Sequence, residues 1–150
     1  MKKLLTIAIF GIVSVLAVAS FATAGKAKKP TTETFTAVLN IGQEVPHPTG
    51  TKLGASGTFT ATVSGTTLSW KLTFSHLSGP ATASHVHSGL KGKSGPVLIP
   101  LCGPCTSPAS GTATVTAGQV TDMAAGKDYV NVHTTKNPNG EIRGQIKKSM

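Results

Sequence analysis

The sequence predicts an all-β fold, an antiparallel Greek-key β-sandwich or flattened barrel with one short helix. The chain is poor in charged residues and rich in Thr, Ser, Gly and Val, which favours strands and tight turns over helices. Apolar and polar residues alternate in short segments that are separated by turn residues. Roughly six to eight short strands at this spacing are typical of sandwiches and barrels.

The first part of the domain has the clearest alternation. A first strand is predicted over 33–40, followed by a Gly- and Pro-rich loop over 42–54. A hairpin then covers 58–74 and turns at Gly65. Its apolar residues, which we expect to face the core, are Phe59, Ala61, Val63, Leu68, Trp70, Leu72 and Phe74.

Three further strands are predicted in the middle of the chain, over 83–87, 97–101 and 111–116. Pro96 and Pro100 favour an edge position for the second of them, because proline has no amide hydrogen to donate to a neighbouring strand.

One helix and a final hairpin complete the domain. Thr116 can cap a helix over 117–125, and Gly126 can end it. The last two strands are predicted over 129–134 and 141–146, joined through Asn137-Pro138-Asn139-Gly140.

The N-terminal residues are typical of an export signal. Lys2 and Lys3 precede an uncharged, mostly apolar run, and Ala22-Thr23-Ala24 is a small-residue cleavage motif. We therefore expect a signal peptide over 1–24, a linker over 25–32 and a β domain over 33–148. The mature protein should be periplasmic or extracellular, without a membrane span after cleavage.

The charge of the chain does not indicate nucleic-acid binding. Without Lys2 and Lys3 the formal charge of +9 falls to +7, and several of the remaining lysines lie in the two tails. The middle of the chain has no dense Lys/Arg stripe with interleaved aromatic residues, so a nucleic-acid partner is not expected.

Two cysteines form a CxxC motif, Cys102-Gly103-Pro104-Cys105. No βαβ unit surrounds the motif, which argues against a thioredoxin-like function. In an oxidising compartment we expect a short-range disulfide between Cys102 and Cys105, with redox activity and binding of a soft metal as alternatives.

Three histidines are the best candidates for a functional site. His85 and His87 are two residues apart in a predicted strand and should point to the same face. His133, on another predicted strand, could supply a third imidazole. Three imidazoles suit copper or zinc, and an exported all-nitrogen site favours copper, with zinc second. The alternative is a set of surface or hydrogen-bonded histidines that stabilise loops.

The last hairpin places a charged group near these histidines. Pairing centred near Pro138 would put His133 opposite Arg143 on a polar face that is open to solvent. Arg143 and Glu141 could instead form an ion pair that fixes the hairpin. Hydrolysis at a zinc site would need a general base, for which Glu44 and Glu141 are the candidates.

Several motifs resemble the chordin (CHRD) domain. They include residues 42–46, 77–80 and 83–87, and the strongest is the closing run Tyr129-Val130-Asn131-Val132-His133-Thr134 with 137–145. The resemblance covers about 34–146. It implies a β fold and an extracytoplasmic location. In chordin such domains are repeated in an extracellular antagonist of growth factors, and many bacterial members are single exported domains without an assigned function.

The order of the histidine motifs is also similar to that of the copper/zinc superoxide dismutases. Those Greek-key barrels carry an H-V-H strand, a later V-x-H strand and a Gly-rich segment with an arginine. The similarity implies that His85, His87 and His133 are copper ligands and that Arg143 guides an anion. The dismutases' bridging histidine and zinc loop have no counterpart here.

Two functions remain open from the sequence. One is a mononuclear copper or zinc site used in copper handling or superoxide-related chemistry, which leaves enzymatic activity undecided. The other is a metal-free adhesion or envelope-binding module that contacts a protein or glycan of the cell envelope through the loops 42–54 and 88–95.

Overall fold

The computed structural model describes residues 31–149, so the signal peptide predicted over 1–24 and most of the linker predicted over 25–32 lie outside the described part. A short 3₁₀-helix, Ile41–Gln43, follows the first strand. The other elements, in chain order, are β1 Thr32–Asn40, β2 Ser56–Ser64, β3 Thr67–Ser75, β4 Ala81–Ser88, β5 Val97–Cys102, β6 Ala109–Thr114, α1 Ala117–Ala124, β7 Asp128–Thr134, β8 Ile142–Gln145 and β9 Lys147–Lys148.

The strands form one antiparallel sheet in the order β5-β4-β7-β8-β1-β2-β3-β6, and β9 pairs with β1. The two outer strands, β5 and β6, contact each other, so the sheet curls into a nearly closed barrel. The prediction of an all-β antiparallel fold with one short helix is confirmed, in its barrel form. Within the described range, no helix is long and apolar enough to cross a membrane.

The core follows from the alternation in the sequence. In β2 and β3 every second residue is buried, and the register pairs Phe59 with Leu72 and Ala61 with Trp70. Phe74 differs from the prediction, because it is only half-buried near the end of β3. Other strands, together with Ile146 between β8 and β9, add apolar side chains to the same interior; those in the strands are Phe35, Leu39, Val86, Val130, Val132 and Ile142.

The predicted edge strand and helix are both present. β5 carries Pro100 at the outer end of the strand order, as the missing amide hydrogen requires. Before α1, the Thr116 hydroxyl accepts from the Gln119 amide nitrogen at 3.2 Å. The Gln119 side chain accepts from the Thr116 amide nitrogen at 2.9 Å, which completes a capping box.

The CxxC motif lies at the end of β5. The sulfur atoms of Cys102 and Cys105 are 2.08 Å apart, which is the length of a disulfide bond. The Cys105 amide nitrogen donates to the Ala81 carbonyl at 3.1 Å. The loop after β5 is thereby tied to the start of β4.

The register of the last hairpin differs from the prediction. Arg143 lies opposite Asn131, and not opposite His133. The hairpin is centred one residue earlier than expected, because the Asn137 carbonyl accepts from the amide nitrogens of both Thr134 and Gly140, at 3.2 and 3.1 Å. A shift of two residues in pairing keeps every side chain on its predicted face. It places Asn131 between His85 of β4 and Arg143 of β8.

Glu141 holds this turn in place. Its carboxylate is completely buried and accepts from the Ser78 amide nitrogen at 2.6 Å, the Thr134 hydroxyl at 2.7 Å and the Asn137 amide at 3.2 Å. Burial alone would raise the pKa of Glu141, but these hydrogen bonds lower it. The ion pair between Glu141 and Arg143 that was considered from the sequence does not form; neutral donors satisfy the carboxylate instead.

Asp128 gives a test of the fold's dependence on pH. Its side chain is 1% exposed, neither carboxylate oxygen has a hydrogen-bond partner, and burial and nearby Asp122 raise its pKa to about 6. The ionised carboxyl therefore destabilises the folded state above that pH. We expect Asp128→Asn to raise the free energy of unfolding at pH 7 by about 2 kcal/mol.

The gain should be nearly constant above pH 6, fall between pH 6 and pH 4 and become small near pH 4, because the carboxyl of the unfolded chain is then protonated as well. Urea unfolding of both proteins from pH 4 to pH 8 measures the difference. Glu33→Gln on β1 removes a carboxylate that does not act on Asp128, so it is the control and should show no gain of this kind. A difference that is constant across this range would contradict the explanation.

Candidate metal centre

The site is built on the pairing of β4 with β7. His85 and His87 point to the same face of β4, and the antiparallel register pairs Ala83 with His133 and His85 with Asn131. The three histidines therefore meet although 46 or more residues separate His133 from the other two. Each offers one ring nitrogen, and the three nitrogens all lie within 4.8 Å of one another.

The closest pair of nitrogens has the spacing of a shared metal. His85 Nδ1 lies 3.1 Å from His133 Nε2 and donates a hydrogen bond to it when no ion is bound. Two ligands bound at about 2.0–2.1 Å with tetrahedral angles are roughly 3.3 Å apart, so this pair needs almost no movement to bind one ion. His87 lies slightly farther away, with its ring centroid 5.5 Å from that of His85 and 6.0 Å from that of His133.

Two backbone carbonyls fix the orientation of the rings. His87 Nδ1 lies 3.0 Å from the Gly95 carbonyl oxygen, and His133 Nδ1 lies 2.9 Å from the Pro138 carbonyl oxygen. A carbonyl oxygen only accepts, so each Nδ1 carries the hydrogen and each Nε2 keeps a free lone pair. This is the arrangement that orients histidine ligands in metal sites.

All three rings are held in their neutral form. Burial lowers the pKa of His85 to about 4, and the neighbouring His133 and His87 add to the effect. Burial also lowers the pKa values of His87 and His133, although the carbonyls of Gly95 and Pro138 oppose it. Neutral imidazole is the form that binds metals, so protons compete weakly for this site at neutral pH.

A stack of side chains supports His87. The Tyr129 ring lies parallel to the His87 ring, with 4.9 Å between centroids and 8° between planes. The Arg143 guanidinium carbon lies 3.4 Å from the centre of the Tyr129 ring, a cation–π contact. The Tyr129 hydroxyl accepts from the Gly95 amide nitrogen at 3.3 Å. The same glycine thus holds both His87 and the residue that stacks on it.

The histidine face is mostly buried, which corrects the prediction that it is open to solvent. His87 and His133 are 8% and 9% exposed, and only His85 is partly accessible. The loop between β4 and β5 covers the face. The Ser88 amide nitrogen at the end of β4 donates to the Pro96 carbonyl of the loop at 3.0 Å, and the Ser94 hydroxyl of the loop donates to the Val45 carbonyl at 2.8 Å.

Arg143 lies beneath the same loop. It is 1% exposed, and its Nη2 donates to the Leu90 carbonyl at 3.0 Å and to Gln145 Oε1 at 3.3 Å. Burial lowers the pKa of Arg143, whereas nearby Tyr129 and Glu44 raise it. Anion guidance by Arg143 stays a prediction, and an anion would reach the guanidinium only if the loop moved.

The two candidate general bases have different positions. The Glu141 carboxylate is hydrogen-bonded within the turn of the last hairpin, to Thr134 and Asn137. Glu44 is 3% exposed, and its Oε1 accepts from the Val45 amide nitrogen at 3.0 Å, while its Oε2 has no partner. Burial raises the pKa of Glu44, although the hydrogen bond from Val45 and the charge of Arg143 oppose the rise.

Some supporting residues were not identified from the sequence. Tyr129 and Gly95 hold His87, but stacking and a loop carbonyl leave no spacing pattern. Asn131 carried a weak signal, since it lies two residues before His133 and must share its face.

Comparison with known proteins identifies the family. A family model described as the CHRD domain matches residues 35–146, which run from within β1 to the end of β8 and include every residue of the site. No curated protein and no solved structure gives a significant match. This chain belongs to the CHRD domain family.

Proposed function

We propose that this CHRD-domain protein binds one copper ion through His85, His87 and His133. One observation carries the proposal: three neutral imidazoles present ring nitrogens within 4.8 Å of one another, and backbone carbonyls orient two of the rings. Histidines that only stabilise loops would not need to converge on one point.

Copper is the preferred ion for two reasons. The imidazole donors suit copper and zinc, and affinity for divalent ions at nitrogen sites is highest for copper. The N-terminal segment is typical of an export signal, which would place the protein where copper is handled outside the cytoplasm. Zinc is the second choice, since three histidines also form zinc sites.

The proposed role is copper handling, with superoxide-related chemistry as the reaction that a copper site of this kind can support. The partly exposed edge of His85 is the side from which an ion or small molecule would approach. When bound, copper would supply one-electron redox chemistry, and the protein would supply ligands, ring orientation and a dry environment.

Metal titration tests the proposal directly. We expect chelator-stripped mature protein to bind one equivalent of Cu(II), with nitrogen hyperfine structure in its electron paramagnetic resonance spectrum. His133→Ala and the double variant His85→Ala/His87→Ala should lose this stoichiometric binding, because fewer than three imidazoles remain. The exposed His47→Ala is the matched control and should bind like the wild type.

Unchanged stoichiometry in both histidine variants would contradict the proposal. The search would then turn to a protein or glycan of the cell envelope and to the exposed loop around Leu53, which is 98% exposed.

A glycine in the covering loop tests how His87 is held. A side chain at Gly95 would overlap the Ser88 carbonyl oxygen, so the loop must shift and carry away the carbonyl that orients His87. We expect Gly95→Ala to weaken copper binding by about tenfold, the lower end for loss of an outer-shell partner. Gly79→Ala, whose new methyl group meets nothing within 4 Å, is the control. Competition with a chelator measures both affinities. Equal affinities would contradict the role of the Gly95 carbonyl in orienting His87.

Superoxide chemistry has its own test. Copper-loaded protein should consume superoxide faster than an ultrafiltrate of the same sample, which holds only the unbound copper, and His133→Ala should abolish the difference. Activity that does not exceed this free-ion background would exclude the reaction and leave copper handling as the role.

A further inference from the structure

Asn131 occupies the centre of the histidine face. On one side it lies opposite His85 of β4, and on the other it lies opposite Arg143 of β8. Neighbouring residues directly across an antiparallel pair have Cβ atoms about 4.5–5.5 Å apart, so the Asn131 amide is within reach of the ligand nitrogens. The residue is 2% exposed, and its Oδ1 has no hydrogen-bond partner among the described residues.

Glu44 shows which way the amide points. A Cβ built on Gly140 would overlap Glu44 Oε2 and lie 2.9 Å from Asn131 Nδ2, so both atoms flank the same backbone position. The amide hydrogens of Asn131 therefore face the carboxylate, and contact with Asn131 helps to oppose the rise that burial causes in the pKa of Glu44. With Nδ2 on that side, Oδ1 is directed away from Glu44.

On its other side Asn131 faces the histidines. It pairs directly with His85, and His87, two residues further along β4, lies diagonally across from it on the same face. Because His87 Nδ1 donates to Gly95, its Nε2 is an acceptor, and this atom also has no partner. Two buried acceptors on this face therefore lack a donor, and an unsatisfied buried polar group destabilises a fold.

A bound cation resolves this conflict, since it accepts electron pairs from both atoms. We infer that Asn131 Oδ1 is a fourth ligand of the metal ion proposed above, which gives a site of three nitrogens and one oxygen. Glu44 is the positioning residue that turns the amide oxygen towards the ion. The inference rests on the proposed function and deepens it.

Glu44 itself is not the ligand. The three histidines are the group of His, Cys, Asp and Glu residues in the described chain whose ligand atoms converge, and Glu44 is outside it. A neutral oxygen ligand has a consequence for selectivity. An amide oxygen suits divalent ions better than the softer Cu(I), so the site should prefer Cu(II) or Zn(II).

A relocated charge provides the sharpest test. The double variant Glu44→Gln/Asn131→Asp keeps the size of both side chains and the net charge, and it moves the carboxylate from the positioning residue to the ligand. We expect it to bind Cu(II) at least about tenfold more tightly than wild type, because an anionic oxygen replaces a neutral one. Its Cu(II) electron paramagnetic resonance spectrum should also change.

Removal of the oxygen should have the opposite effect. Asn131→Leu should weaken Cu(II) binding about tenfold or more and shift the spectrum, whereas Cu(I) binding should fall less. Asn139→Leu, an exposed position in the same hairpin, is the matched control. Circular dichroism and urea unfolding establish that each variant is folded before affinities are compared.

The outcomes separate this inference from the proposed function. If wild type binds one equivalent but the double variant keeps its affinity and spectrum, Asn131 is not a ligand and the three-histidine site stands. Weaker binding in Asn131→Leu alone, with an unchanged double variant, also overturns the inference, because a structural role explains it. If wild type binds no metal, both the inference and the proposed function fail.

Discussion

The pairing of β4 with β7 is the constraint on which the site depends. It is the pairing that brings His85 and His87 beside His133 and Asn131. β7 lies between β4 and β8, and all of its residues are buried. Val130 and Val132 fill the barrel interior, so the polar residues of the strand must lie on the opposite face. Burial of that second face forces each polar group to find a partner or remain unsatisfied.

Most of these groups find partners within the protein. The carbonyls of Gly95 and Pro138 take the Nδ1 hydrogens of two histidines, and Tyr129 separates His87 from the Arg143 cation. The groups left without partners are concentrated beside the histidines. Among the described residues, six buried side-chain atoms are unpaired, and four of them lie here: Glu44 Oε2, His87 Nε2, Asn131 Oδ1 and Arg143 Nη1; the other two belong to Asp128. A fold that kept these residues only for stability would lose little by replacing them with apolar side chains, so their concentration favours a ligand.

The sequence predicted the parts of the structure that depend on local pattern. Alternation in 58–74 is sufficient to place Phe59, Leu68 and Leu72 in the core, and Thr116 with Gln119 is sufficient to start the helix. The spacing of His85 and His87 also determines that both point to one face. These features depend on residues that are close together in the chain, for which the period of a strand or helix is known.

Features that depend on distant contacts were not predictable. The register of the last hairpin is set by Glu141, whose partner Ser78 lies far away in sequence. Burial of the histidine face depends on the path of the loop between β4 and β5, which is fixed by contacts such as that of Ser94 with Val45. The role of Asn131 follows from this register, since it moves Arg143 away from His133 and places Asn131 between Arg143 and His85.

A crystal structure of the copper-loaded protein, with anomalous diffraction data on both sides of the copper absorption edge, tests the central claim most directly. We expect a single strong copper peak about 2 Å from ring nitrogens of His85, His87 and His133. A copper peak elsewhere on the protein, or none above background at the three histidines, would contradict it.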